Sequence, residues 1–150
     1  MKVEELFKRY RAGERNFRGA KLEGAELAEA NLRGIKLNGA SLRKADLRKA
    51  KLYRANLRGA NLYAADMRGV DLRKANLRGA NLNQADLREA DLRQATLRDT
   101  NLNEADLRET DLHRAKLKGA DLSAAQVTRG QLAKARSLKG ATLPDGTRHK

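Results

Sequence analysis

From Phe17 to Leu132 an apolar residue returns at every fifth position, and neither regular secondary structure has that period. Five residues turn an α-helix by about 500°, roughly 140° off the starting face, so such a stripe would spiral around a helix and bury nowhere. A strand alternates faces with period two, and an odd step of five flips each successive leucine to the opposite side. The chain must therefore bend between leucines. Each five-residue unit reads as a short extended piece followed by a turn, and a bend near a right angle closes one coil in four units.

With each apolar residue as the centre of a unit, the register runs without insertion over 15–134, which is 120 residues or 24 units. Leu is the centre in 21 of them, with Phe17, Met67 and Val127 as conservative exceptions. The residue two before the centre is Ala in 18 units, and the one just before it is Asp or Asn in 15, so the unit has a consensus. A longer beat lies over the short one. Asp46, Asp66, Asp86 and Asp106 recur at twenty, as do Asn61, Asn81 and Asn101, and residues 71–90 match 91–110 at 14 of 20 positions. Twenty residues is four units, one coil.

This pattern resembles the pentapeptide-repeat family, whose consensus is A(D/N)LXX, over 120 of the 150 residues. The resemblance implies an all-β solenoid, a right-handed quadrilateral β-helix, with the centre and the alanine two before it pointing inward. The 24 units then make about six coils, a column roughly 29 Å long at the spacing of paired strands. Phe17, Leu37, Leu57, Met67, Leu77, Leu87, Leu97 and Leu117 are core residues on this reading. Each buried leucine contributes roughly 1.5–3 kcal/mol relative to exposure.

The open ends of a solenoid need caps. Val3, Leu6, Phe7 and Tyr10 fall at i, i+3, i+4 and i+7, an amphipathic helix within 1–14 that stops near Gly13 and plugs the first coil. After Lys134 the register slips, Ser137 standing where a centre is due. Residues 135–150 then form a C-terminal cap with a Pro-Asp-Gly turn and a disordered tail from Thr147. The first residues mix acids and bases without a continuous apolar stretch, and no transmembrane segment is expected. The chain has no cysteine, which suits a reducing compartment, and a cytoplasmic protein is expected. Its C-terminal end is a polar tail and not an apolar dimerisation surface, so a monomer is expected.

No constellation that carries catalysis is present. His113 and His149 lie far apart, no Gly-rich phosphate loop occurs, and no Ser/His/Asp set converges, so no catalytic, cofactor or metal residues are assigned and an enzyme is not expected. The column Asp46, Asp66, Asp86, Asp106 has the chemistry for divalent cations. However, Arg48, Arg68, Arg88 and Arg108 stand two residues after each Asp, and an ion-pair ladder is the reading that follows.

The formal charge is +14, and the coil assigns it to four walls. Wall one, centred on residues 17, 37, 57, 77, 97 and 117, carries +6; stepping by five, wall two carries 0, wall three −2 and wall four +5. Adjacent walls four and one thus hold the positive charge. Their candidate binding residues are Arg18, Arg58, Arg78, Arg98 and Lys118 on wall one, with Arg33, Arg54, Arg73, Lys74, Arg93 and Arg114 on wall four. Tyr53 and Tyr63 fall on opposite walls, so aromatic interleaving for base stacking is nearly absent.

Two functions of different class remain. One is a non-catalytic scaffold, a protein-interaction module with an unknown protein partner. The other is a polyanion binder, taking nucleic acid or an anionic lipid surface on walls four and one. The family's gyrase inhibitors are acidic columns that mimic duplex DNA, and a charge of +14 has the wrong sign for that role.

Overall fold

The computed structural model describes residues 1–150 as a four-sided column flanked by two short helices, α1 (Val3–Arg11) and α2 (Arg129–Ala133). Parallel bridges join residues twenty apart, from Asn16↔Lys36 to Asp106↔Gln126, always at the position just before a centre. Each wall contributes a single bridging residue per coil, because a corner follows every five residues and no extended run is long enough to become a strand. The unit on Leu37 shows the wiring. Leu37 N–H donates to Asn56 O at 2.7 Å, Gly39 N–H to Arg58 O at 2.9 Å, and Ala40 N–H closes back on Leu37 O at 3.0 Å.

That last bond recurs in every unit from Phe17 to Leu122, and the residue two after the centre always has positive φ. Positive φ at only the second corner residue defines a type II turn. Eight of these corners are glycine, but fourteen are not, with φ of 55–62° at residues such as Lys74, Glu89 and Arg114. A left-handed conformation costs a non-glycine residue roughly 1–2 kcal/mol. The ladder holds it in place: Lys74 N–H, for example, donates to Arg93 O at 3.0 Å.

The interior is leucine stacked on leucine, with alanine where the chain crowds at the corner. Phe17 is 2% exposed, and Leu37, Leu57, Met67, Leu77, Leu87, Leu97 and Leu117 are fully buried. Among 46 buried residues only Thr100 and Thr110 are polar, so no ionisable group lies inside the column. Both stand where alanine is usual, and their hydroxyls donate to Leu77 O and Leu87 O at 2.7 Å, which satisfies them.

Helix α1 lays Leu6, fully buried, on the first coil, with Val3, Phe7 and Tyr10 packed around it. Glu4 and Glu5 in its first turn and Lys8, Arg9 and Arg11 in its last complement the helix dipole. Tyr10 Oη donates to Arg33 O at 2.6 Å, fastening the cap to wall four.

The other end differs from the sequence reading, which carries the repeat register to Lys134. The bridges at spacing twenty stop at Gln126, and α2 occupies wall four instead of another unit. A capping box starts it: Gln131 N–H donates to Thr128 Oγ1 at 3.1 Å and Thr128 N–H to Gln131 Oε1 at 2.9 Å. Gln131 Nε2 then donates to Leu107 O and Thr110 O at 2.7 and 3.0 Å, closing the end of wall three. Leu132 stays buried and so keeps the leucine beat although it is helical.

One residue is absorbed here, and the coil resumes at spacing 21 with the bridges Lys116↔Ser137 and Asp121↔Thr142. Leu138 and Leu143 are thus the next centres. The segment after Thr147, expected to be disordered, pairs instead as a hairpin, with His149 N–H on Ala141 O at 2.7 Å and an antiparallel bridge Thr142↔Arg148. No helix is long and apolar enough to cross a membrane.

Candidate functional site on the charged walls

Each wall shows solvent three columns: the residue before the centre and the two after it. On wall three the first column is Asp and the second Arg, and they pair within each unit. Arg48, Arg68, Arg88 and Arg108 each place Nε 2.8–2.9 Å from Oδ1 and Nη2 2.6–2.7 Å from Oδ2 of the Asp two residues before. The same Nε lies 3.8 Å from the carboxylate one coil on for Arg48 and Arg68, and 3.6 Å for Arg88. From Asp46 to Arg108 the wall is a continuous ladder of alternating charge. Hydrogen bonding from the arginine holds Asp46, Asp66 and Asp106 below the ordinary carboxylate range.

Wall four repeats the ladder over part of its length. Arg73 and Arg93 grip Asp71 and Asp91 in the same two-pronged way, and His113 Nδ1 sits 2.8 Å from Asp111 Oδ1. The Arg73 hydrogen bond likewise lowers the pKa of Asp71. Arg73 also lies over the Tyr53 ring, 5.1 Å from its centroid, with Arg54 at 5.5 Å. Of the wall-four candidates, Arg73 and Arg93 are therefore engaged with acids, while Arg33, Arg54, Lys74 and Arg114 make no ion pair.

Wall one is built differently. Its second column is Arg18, Asn38, Arg58, Arg78, Arg98 and Lys118, and the column before it is Asn16, Lys36, Asn56, Asn76, Thr96 and Lys116. Asn56 and Asn76 accept the backbone N–H of Arg58 and Arg78 at 3.0 Å, the local bond that Asp makes elsewhere, but they offer no charge. No cation of this wall forms an ion pair. Arg98 is half-buried, and its Nε is covered without a hydrogen-bond partner.

The corner beyond wall one is glycine at residues 19, 39, 59, 79 and 119. A Cβ built at the first four meets nothing within 4 Å, so this flank is open. Asp99 alone interrupts it. Its carboxylate lies over Gly119, where a Cβ would collide with Oδ1.

Wall two is neutral and tied across coils by amides. Asn83 Nδ2 donates to Asn103 O and Oδ1 at 3.1 Å, Asn103 Nδ2 to Ser123 O at 3.1 Å, and Tyr63 Oη to Gln84 Oε1 at 3.2 Å. Arg43 lies over the Tyr63 ring at 5.4 Å.

The walls bring the candidate residues together in three groups, of which Arg33, Arg73 and Arg93 form the middle column of wall four. Arg18, Arg58, Arg78, Arg98 and Lys118 share one row, and Arg54, Lys74 and Arg114 line the corner between walls four and one. Which arginines are neutralised, and the placement of Asp99 against Gly119, are features that the charge count per wall does not reveal. A surface depression of about 360 Å³ lies on wall three and its corner between Arg48, Lys49, Arg68, Gly69, Arg88 and Glu89. No group of three or more His, Cys, Asp or Glu is placed to hold a metal ion.

Comparison with known proteins agrees with this geometry. The family model described as pentapeptide repeats matches in eight copies over residues 16–52, 55–94 and 85–124. A pentapeptide repeat protein (Rfr23) from the cyanobacterium Cyanothece 51142 is 29% identical with a TM-score of 0.58, over 79% of this chain and 93% of that one. A pentapeptide repeat protein from Nostoc PCC 7120 is 38% identical over 80% of each chain, with a TM-score of 0.43. A comparison with curated proteins finds no match.

Proposed function

This chain belongs to the pentapeptide-repeat family of quadrilateral β-helices, and from that premise we propose that it is a non-catalytic scaffold engaging a protein partner through a wall. The observation that supports this reading best is the fixed surface of wall two. Asn83, Asn103, Tyr63 and Gln84 are already tied to neighbouring coils, so little side-chain freedom remains to be lost on docking. Wall two is also neutral in charge and carries Tyr63, a residue type that anchors protein interfaces.

Photo-crosslinking tests it. A crosslinking residue at Asn83 should capture one protein from a native extract, and Tyr63→Ala should abolish that capture. Equal capture from probes on wall two and at Arg48 on wall three would remove the assignment of the wall. A monomeric, cytoplasmic protein completes the proposal, which light scattering and fractionation would check.

A second reading, binding of a polyanion, is favoured by one observation, the unpaired cation row of wall one. Mimicry of duplex DNA has no support, because the net charge is +14.

A further inference from the structure

We propose that wall one is a docking strip for the phosphodiester backbone of duplex nucleic acid, bound without regard to base sequence. The proposal deepens the second reading above and is independent of the protein-binding role of wall two.

Three features of wall one favour this partner. Its outward residues are Arg, Lys, Asn, Thr, Gly and one Asp, with no apolar or aromatic side chain among them. A protein interface needs a buried apolar or aromatic centre, and a membrane surface site gains from apolar anchors, so this composition suits neither. Single-stranded nucleic acid is held largely by base stacking on aromatic rings, which the wall lacks. Phosphate contact needs only charge and access.

The cations stand in single file. Between Lys36 and Lys116 the row Arg58, Arg78, Arg98 is flanked on one side by Asn56, Asn76 and Thr96 and on the other by Gly59, Gly79 and Asp99. A line of charge fits a line of phosphates better than a broad anionic sheet. From Arg18 to Lys118 the row climbs five steps, about 24 Å at the spacing of paired strands, which spans roughly seven base pairs of duplex. The guanidinium fork matches phosphate oxygens two at a time, and here no carboxylate competes for it.

The glycine flank completes the strip. With open space at Gly39, Gly59 and Gly79, the rounded side of a duplex can close on the row, and the basic corner of Arg54, Lys74 and Arg114 lies on the other flank. Asp99 is the exception, a single negative charge beside Arg98.

The test is a fluorescence-anisotropy salt titration of the full chain with a 20-base-pair duplex of arbitrary sequence. Five phosphate contacts predict a log K against log salt slope of about −4 to −5, and a loss of roughly 10²–10³-fold between 50 and 200 mM salt. Changing Arg58, Arg78 and Arg98 together to Ser should lower the magnitude of that slope by about 2–3. Lys21, Arg43 and Lys44 changed to Ser remove the same charge from wall two and should leave the slope nearly unchanged. Asp99→Gly should tighten binding several-fold.

Absence of duplex binding at 50 mM salt would overturn the proposal, and so would an equal loss from both triple variants. Binding to phosphatidylserine vesicles without binding to duplex would assign the row to a membrane instead. Protein capture at Asn83 is unaffected by any of these outcomes, so the two readings fail separately.

Discussion

Arg68 grips Asp66, two residues before it, with Nε 2.8 Å from Oδ1 and Nη2 2.7 Å from Oδ2. Arg78 occupies the same place in its unit on wall one, but Asn76 stands two before it and only the backbone N–H is bound. The single choice of Asp or Asn before a leucine therefore decides whether the following arginine is neutralised or free. Both residues satisfy the local backbone bond, so the fold tolerates either. The choice tunes the surface at little cost to the column.

The pair itself is a surface interaction, worth about 0.2–1 kcal/mol at this exposure. Asp66→Asn should lower stability by no more than that, since the amide oxygen still accepts from Arg68 N–H. Asp66→Ala loses the local bond as well and should be the more destabilised of the two. Urea denaturation of both variants measures the order.

Acid should act on these ladders in one direction. Asp46, Asp66, Asp71 and Asp106 have folded-state pKa values lowered by arginine hydrogen bonds. Their contribution is complete above the unfolded carboxylate pKa and is lost as pH falls through the lower folded value. Stability should hold level from neutrality to about pH 4 and fall below it. Asp46, Asp66, Asp71 and Asp106 changed together to Asn should flatten that fall, as followed by thermal melts across pH.

Gly79 and Gly119 have similar φ, 67° and 71°, but different surroundings. An alanine at Gly79 meets open space and bears only the left-handed penalty, about 1–2 kcal/mol. At Gly119 it also strikes Asp99 Oδ1, so Gly119→Ala should cost more than Gly79→Ala. Asp99→Gly should bring the two costs level in a double-mutant comparison of melting.

The cap tests whether the column frays from its end. Leu6→Ala removes a fully buried side chain and should cost roughly 2–5 kcal/mol. In a solenoid each coil leans on its neighbours, so hydrogen exchange should quicken first in the residues of the opening coil, Phe17 to Leu32. Uniform quickening along the whole column would show that the ends are not independent.

The five-residue beat made most of this architecture readable, because only a corner after every leucine can bury leucines at that spacing. Helix α1 was readable from the spacing of Val3, Leu6, Phe7 and Tyr10. The far end was not, since Leu132 keeps the beat while lying on a helix, and the five-residue count cannot tell the two apart. The capping signature Thr128-x-x-Gln131 was the available signal. Ser137 looked like a failed centre because α2 absorbs one residue, which only the bridge Lys116↔Ser137 exposes.

Of the surface, the Asp–Arg ladder of wall three followed from charges two residues apart. The sum of charge on wall four did not reveal that Arg73 and Arg93 are engaged. Net charge adds groups without asking which of them touch, and contact depends on side-chain reach.

The residue before each leucine sets the charge available on its wall. Asn56→Asp with Asn76→Asp should capture Arg58 and Arg78 as Asp66 captures Arg68, while Asn61→Asp with Asn81→Asp adds the same charge to wall two, where no arginine follows. Duplex affinity at 50 mM salt, measured for both variants, should fall more than tenfold for the first and little for the second. Equal losses would show that only net charge matters and would contradict the claim.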